Sequence, residues 1–236
     1  DEMFFEEPFP HYVIDNFLEE DYALKLSEEF LDYNSPAWFV YDSPLEVKKA
    51  CNNWYHFPPT TYEFFQKLNS EYFVDMLKEL TGIKLFADHG LHGAGWHIQG
   101  NNSKLNIHLD YSIHPKLKLQ RKFNFIIYLT PEWKEEWGGN LEFWSHDSKL
   151  NLPKTKVKTV ANKFNRVVLF DASMNSWHGF SETIKCPIDK YRKSIAMYYL
   201  TEPEKNTPER NRALYSPSEE QKANTEILNL IKQRTL

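Results

Sequence analysis

With 236 residues, 28 Lys plus Arg against 33 Asp plus Glu and a formal net charge of −5, the chain suits one large domain that buries its own core without metal or disulfide staples. The acidic balance argues against a general nucleic-acid binder. Only two cysteines occur, Cys51 and Cys186, so neither a disulfide framework nor a Cys-rich zinc site is supported, and a reducing compartment fits best. No run reaches the roughly 18 apolar residues of a membrane span, and the opening DEMFFEEPFP lacks the basic-then-apolar layout of a secretory signal. A cytoplasmic location with no membrane partner is therefore the default expectation, for a chain that does not begin with Met and so leaves room for upstream sequence.

The segment PFPHYVIDNFL predicts a short strand over residues 11–14, followed by a first amphipathic helix in which Leu24, Leu26, Phe30 and Leu31 recur between acidic residues. A polar, Pro-marked stretch follows over 34–59. Two more helical patterns follow, about 60–69 and 70–80, the second stopping at Thr81-Gly82. The N-terminal third thus reads as mainly helical. From Lys84 the texture changes to eight short β-rich segments at 87–98, 104–108, 123–130, 140–144, 157–160, 166–171, 177–181 and 194–200, a spacing that suggests a jelly roll or related double sheet. Residues 203–217 read as a linker. Ser216-Pro-Ser-Glu219 resembles a capping box opening a last helix toward Leu236. The expected division is 1–83 as a strand and helical support, 84–202 as the core, and 203–236 as linker and C-terminal helix.

Within the core, His108-Leu-Asp110 offers two metal ligands from one strand, because residues two apart point to the same side. The spacing alone is weak: nine His, each with about a 6% chance of Asp two positions later, give roughly 0.5 chance matches. The later strand Arg166-Val-Val-Leu-Phe-Asp171, with His178 just beyond it, completes two imidazoles and one carboxylate, a set suited to non-haem iron with open coordination positions. A zinc site from His89, His92 and His97 is disfavoured, since His89 and His92 would face opposite ways on a strand. His114 and His146 fall in loop-like contexts and are expected to meet solvent or substrate. Arg192 opens a strand downstream of His178 and is placed to grip a carboxylate with its planar fork. Lys116, Lys118, Arg121 and Lys122 read more simply as a solvated face than as a basic binding patch.

HLD at 108–110, RKFNFIIYLTPEW at 121–133, GGNLEFW at 138–144, NRVVLF at 165–170, SWHGF at 176–180 and RKSIAMYYL at 192–200 resemble the prolyl 4-hydroxylase-like branch of the 2-oxoglutarate and iron(II)-dependent oxygenases. The resemblance covers roughly residues 84–202; PFPHYVIDNFL and LTGIKLF also look like the N-terminal part of bacterial and phage members. It implies a mainly β fold with flanking helices: a double-stranded β-helix core (jelly roll, cupin-like), an N-terminal helical layer and a C-terminal helix. It further implies Fe(II) held by His108, Asp110 and His178. The distal carboxylate of 2-oxoglutarate would be bound by Arg192 and Tyr128, O2 would be a second cosubstrate, and ascorbate an accessory reductant. The activity implied is hydroxylation of an unactivated C–H bond, prolyl 4-hydroxylase-like on a peptide or protein, with succinate and CO2 as coproducts. Hydroxylation of a small molecule, such as a free amino acid or sugar-related compound, and a non-catalytic cupin-like metal module are the alternatives.

Two departures stand out. Where oxygen-sensing relatives carry a second cosubstrate-binding Tyr, ten residues before the first metal His, this chain has Ile98, so Asn124 or Gln99 is expected to replace that contact. The segment between His178 and Arg192 is also longer than in those relatives, predicting a loop over 181–191 near the cleft. Substrate choice is expected to lie with the N-terminal helices, residues 42–57, and the loops 111–120 and 181–191. Trp54, Tyr55, Tyr111 and Trp177 are candidates either for lining a peptide groove or for packing.

Overall fold

The structure is a computed structural model describing residues 3–234. In chain order it forms β1 (Phe4–Phe5), β2 (His11–Ile14), α1 (Glu20–Glu28), β3 (Phe39–Asp42), β4 (Glu46–Cys51), α2 (Pro59–Leu68), α3 (Glu71–Thr81), β5 (Gly95–Gln99), β6 (Lys104–Leu109), β7 (Gln120–Tyr128), β8 (Leu141–Asp147), β9 (Leu152–Val160), β10 (Arg166–Asp171), β11 (Trp177–Phe180), β12 (Arg192–Thr201), β13 (Leu214–Tyr215) and α4 (Thr225–Arg234). The strands pair in the order β1-β2-β10-β7-β12-β5-β4-β6-β11-β8-β9, with β3 added on β4 and β13 on β6. This antiparallel sheet curls over, so that Phe143 of β8 packs with Tyr128 of β7 and Phe170 of β10 in one interior cluster. The result is the expected jelly-roll core with flanking helices.

Period-two alternation sorts the side chains of the helix-bearing half. Trp96 and Ile98 of β5, Phe123, Phe125 and Ile127 of β7, Val167 and Leu169 of β10, and Ile195, Met197 and Tyr199 of β12 turn outward, against Leu26 of α1, Phe64, Phe65 and Leu68 of α2 and Leu77 of α3. The intervening residues turn inward: His97, Gln99, Asn124, Ile126, Arg192, Ser194, Ala196 and Tyr198 line the central cavity. The helices supply what covers the outer face. Pro59 opens α2 where its missing N–H costs nothing, the Ser70 hydroxyl accepts from the Phe73 N–H at 3.2 Å to cap α3, and Gly82 closes α3 at φ +71°.

Several expectations are corrected. The stretch 34–59, to which the sequence pattern assigns no strand, contains β3 and β4, and β4 lies inside the sheet between β5 and β6. Its cavity-facing residues are Glu46, Lys48 and Ala50, two of them charged and paired at 2.7 Å, so the usual apolar alternation is missing. The segment predicted as strand from residue 87 is a turn up to Ala94, with the Asp88 carboxylate accepting from the Gly90 and His92 N–H groups. The strand begins at Gly95, φ +102°, where any Cβ would collide with the Cys51 carbonyl. The capping box falls two residues later than expected, at Ser218 with Gln221 on a short 3-10 turn, and α4 begins only at Thr225. The predicted end of this helix at residues 235–236 lies outside the described residues.

Nor do Arg121 and Lys122 form a solvated face. Both are buried, and the Lys122 ammonium lies 2.9 Å from the Asp171 carboxylate. Cys51 and Cys186 are buried free thiols. Among the described residues, no helix is long and apolar enough to cross a membrane.

Candidate active site

The inward faces of the curled sheet enclose a cavity of about 450 Å3, lined also by residues of β3 and β4, by His92 in its turn and by Arg212. On one wall, His108 of β6 and His178 of β11 are direct cross-strand partners, their ring centroids 4.3 Å apart. Asp110, two residues past His108, returns to the same face. The Nε2 atom of His108 lies 3.5 Å from Asp110 Oδ1, and that of His178 lies 3.7 Å from Asp110 Oδ2. The intervening Leu109 and the neighbouring Ile107 and Trp177 point the other way, into a small apolar cluster behind the wall.

Backbone carbonyls fix both imidazoles. His108 Nδ1 lies 2.9 Å from the Asn106 carbonyl, and His178 Nδ1 lies 2.7 Å from that of Ser176. A carbonyl can only accept, so each Nδ1 carries a proton and each Nε2 is the ring atom turned toward Asp110. Burial, with the neighbouring His108, lowers the His178 pKa to about 4, which keeps that ring neutral. Burial alone would raise the pKa of Asp110; His178 when protonated, and Arg121 at any pH, hold it well below the usual carboxylate range. Two imidazole nitrogens and one carboxylate oxygen thus converge, with all three ligand atoms within 4.8 Å of one another. This donor set can take a divalent first-row metal and leave one side of it open.

Deeper in the same cavity sits Arg192, 7% exposed, at the start of β12. Its Nε donates to the Gly139 carbonyl and its Nη1 to Gln99 Oε1, both at 2.8 Å. Gly139, at φ +71°, permits that approach, because a Cβ there would lie 2.8 Å from Arg192 Cδ. Among the described residues no carboxylate pairs with this guanidinium, and burial lowers its pKa. Beside it, the Tyr128 hydroxyl is fully buried with no hydrogen-bond partner, and the Gln99 Nε2 group is likewise unpartnered. The guanidinium carbon stands 4.9 Å from the centre of the Tyr128 ring. An unpaired buried cation next to two unsatisfied polar groups is costly unless an anion joins them, and a ligand carboxylate fits that need.

The sequence-derived candidates divide accordingly. His108, Asp110 and His178 come together, as do Arg192 and Tyr128. Asn124 lies elsewhere: its Nδ2 donates to Asp110 Oδ2 at 3.4 Å, and it is Gln99 that touches Arg192. Ile98 faces the helical core, so its neighbour Gln99 holds the cavity position in that strand. His114 is buried with its Nε2 3.4 Å from Asp88, and His146 lies on β8 and accepts from the Trp177 indole. The loop 181–191 packs down through Ile184, which is fully buried. Of the four aromatic candidates only Tyr111 lines the cavity; Trp177 is buried behind the wall, Trp54 packs on Phe57 and Phe65, and Tyr55 stands 97% exposed away from it.

Several cavity residues went unmarked by their sequence context. Glu46 accepts from the Tyr215 hydroxyl at 2.7 Å, and Tyr215 packs on the His108 ring at 5.2 Å, so the C-terminal segment backs the wall that carries His108 only through tertiary contact. Arg121 is the other. Its guanidinium is sandwiched between the rings of Tyr111 and Tyr198, 3.5 and 3.4 Å from their centres, and lies 3.4 Å from Asp110 Oδ2.

Fold and geometry together define a jelly-roll protein in which two histidines and a carboxylate that could hold a metal share one cavity with a buried, unpaired guanidinium. Residues 94–200 match the family model described as 2OG-Fe(II) oxygenase superfamily. It is similar to prolyl 3-hydroxylase OGFOD1 of Xenopus laevis, 28% identical over 183 residues, a match covering 75% of this chain and 32% of the relative. The chain thus spans about a third of the length of the curated relatives it matches. Among solved structures, a Pseudomonas putida prolyl-4-hydroxylase superposes with a TM-score of 0.57 at 12% identity, covering 81% of this chain and 92% of that one. A Trichoplax adhaerens prolyl hydroxylase, solved with a hypoxia inducible factor peptide, gives 0.55 at 16% identity, covering 80% and 83%.

Proposed function

We propose that the chain is a 2-oxoglutarate- and Fe(II)-dependent dioxygenase that hydroxylates a prolyl residue of a peptide or protein. His108, Asp110 and His178 hold the iron, and Arg192 with Tyr128 holds the distal carboxylate of 2-oxoglutarate. Bound there with O2, these groups supply the oxidation of an unactivated C–H bond, with succinate and CO2 as coproducts. The observation that carries the reading is the pairing, in one cavity, of two imidazoles and a carboxylate with a buried guanidinium that has no counter-ion. A cupin-like module that only stores metal has no use for the second half of that arrangement.

The chain's own residues position and desolvate. The Asn106 and Ser176 carbonyls orient the two ligand rings, Gly139 and Gln99 orient Arg192, and Ile126, Leu141 and Phe180 exclude water between the two ends. At the mouth, Phe39 and Tyr41 of the exposed strand β3 and Tyr111 present aromatic surface suited to a proline ring. The names of the similar proteins, prolyl 3-hydroxylase and prolyl 4-hydroxylase, support a peptidyl-proline substrate and divide on which ring carbon reacts.

Anaerobic addition of Fe(II) and 2-oxoglutarate is expected to give the weak visible charge-transfer band of the chelate, and exposure to O2, with ascorbate as reductant, to give succinate. Fully metallated protein that yields neither would sink the oxygenase reading. Mass spectrometry of proline-containing peptides against free proline then tests the substrate class, and fragment analysis of a product assigns the carbon.

A further inference from the structure

The two oxygens of Asp110 are not equivalent. Each faces one ligand imidazole, Oδ1 the His108 Nε2 at 3.5 Å and Oδ2 the His178 Nε2 at 3.7 Å, but Oδ2 alone also faces two side-chain donors among the described residues, the Arg121 Nη1 and the Asn124 Nδ2, both at 3.4 Å. Arg121 is itself held fast. The rings of Tyr111 and Tyr198 sandwich its guanidinium, its Nη2 donates to the His92 carbonyl at 3.2 Å, and it is 3% exposed. A planar cation so confined keeps its donors in one orientation, as a flexible ammonium would not.

We propose that Arg121 and Asn124 are positioning residues that occupy Oδ2 and so make Asp110 a one-oxygen ligand. The inference rests on the reading of His108, Asp110 and His178 as the Fe(II) site. Its chemical consequence follows from counting. Six positions less two imidazoles and one carboxylate oxygen leave three, two for a chelating 2-oxo acid and one for O2. A carboxylate binding through both oxygens would leave one too few. Lone pairs already engaged by a guanidinium and an amide are poor competitors for the metal, so the clamp protects the open face. It also links the metal wall to the cavity mouth, because the same guanidinium holds the turn that carries His92.

This role predicts opposite effects on two affinities. Removing Arg121 takes a cation away from a metal-binding carboxylate, which favours metal binding by Coulomb attraction, while freeing Oδ2 to take a position that the cosubstrate needs. In anaerobic titrations of Arg121→Met and Asn124→Ala, the affinity for Fe(II) or Mn(II) should hold or rise. The affinity of the metallated protein for 2-oxoglutarate should fall about tenfold or more, with a weakened or displaced visible band. X-ray absorption on the Fe(II) forms without cosubstrate should show an added carboxylate oxygen. Loss of metal affinity in step with loss of 2-oxoglutarate affinity would assign the pair a merely structural role and overturn the proposal, as would unchanged 2-oxoglutarate binding. Asn124→Ala removes one donor and little volume, and it decides the question if Arg121→Met does not fold. Wild-type protein run alongside separates the two levels: absence of Fe(II) and 2-oxoglutarate binding there refutes the site itself, while normal wild-type binding with normal variant binding refutes only the clamp.

Discussion

Replacing Arg192 by Met tests the cosubstrate pocket through two measurements that should part company. Without ligand, the guanidinium is a buried charge with no counter-ion, a state that costs several kcal/mol. Its removal relieves that cost but strands two acceptors, the Gly139 carbonyl and Gln99 Oε1, at about 1–3 kcal/mol each. The terms nearly cancel, so the metal-free variant should melt within a few degrees of wild type, given about 2–4 °C per kcal/mol for a chain of this size. With 2-oxoglutarate the balance is one-sided, because its distal carboxylate loses a buried ionic partner worth about 2–5 kcal/mol. That corresponds to a roughly 30- to 5000-fold rise in Kd, read by anaerobic titration of the Fe(II) form, while Fe(II) affinity stays near wild type. Undiminished 2-oxoglutarate binding, or equal loss of iron and cosubstrate, would refute the assignment of Arg192.

Tyr128→Phe removes a buried hydroxyl that has no partner, so chemical denaturation should show the ligand-free protein unchanged or stabilised, by up to about 1–3 kcal/mol, with 2-oxoglutarate affinity down about tenfold; a destabilised variant would mean that the hydroxyl is already satisfied. Lys122→Met leaves Asp171 buried without its cation and should cost about 3–5 kcal/mol in urea unfolding, whereas a loss under 1 kcal/mol would return Lys122 to a solvated role. The pH dependence of stability has a definite sign. Burial first, then the nearby Lys48 charge, lower the His97 pKa from 6.5 to about 3, so protons bind the unfolded chain first as pH falls. Its contribution is therefore complete above pH 6.5 and drains away toward pH 3. His97→Asn should flatten the decline in urea midpoint between pH 6.5 and 4, and an unaltered slope would count against it.

How far the sequence reached can be judged strand by strand. The convergence of His108, Asp110 and His178 was legible because each obeys a local rule: residues two apart on one strand share a face, and His178 follows a strand whose apolar run marks it as buried. Arg192 was marked by its place at the start of a strand downstream of His178, and Tyr128 only by the family resemblance. Alternation could not find β4, because the cavity side of that strand carries Glu46 and Lys48, whose charges are tolerated only because they pair with each other and with Tyr215 from the far end of the chain. It also left Asn124 and Gln99 interchangeable, which only the register of β5 against β12, Gln99 opposite Arg192, resolves.

Arg121 draws the line most clearly. By strict alternation it shares a face with Phe123, which packs on the helices. In the structure Tyr199 pairs with Phe123 and the next residue, Leu200, pairs with Arg121, so Lys122 is an extra residue in β7 and the parity of the strand reverses there. That bulge turns Arg121 into the cavity, between Tyr111 and Tyr198 and against Asp110. The amino-acid pattern by itself determined most of the core strands and singled out His108, Asp110, His178 and Arg192, since period and residue chemistry are local properties. What only the tertiary structure decided is which side chains surround those donors, because strand register, a bulge and contacts across more than 100 residues leave no periodic trace in the chain.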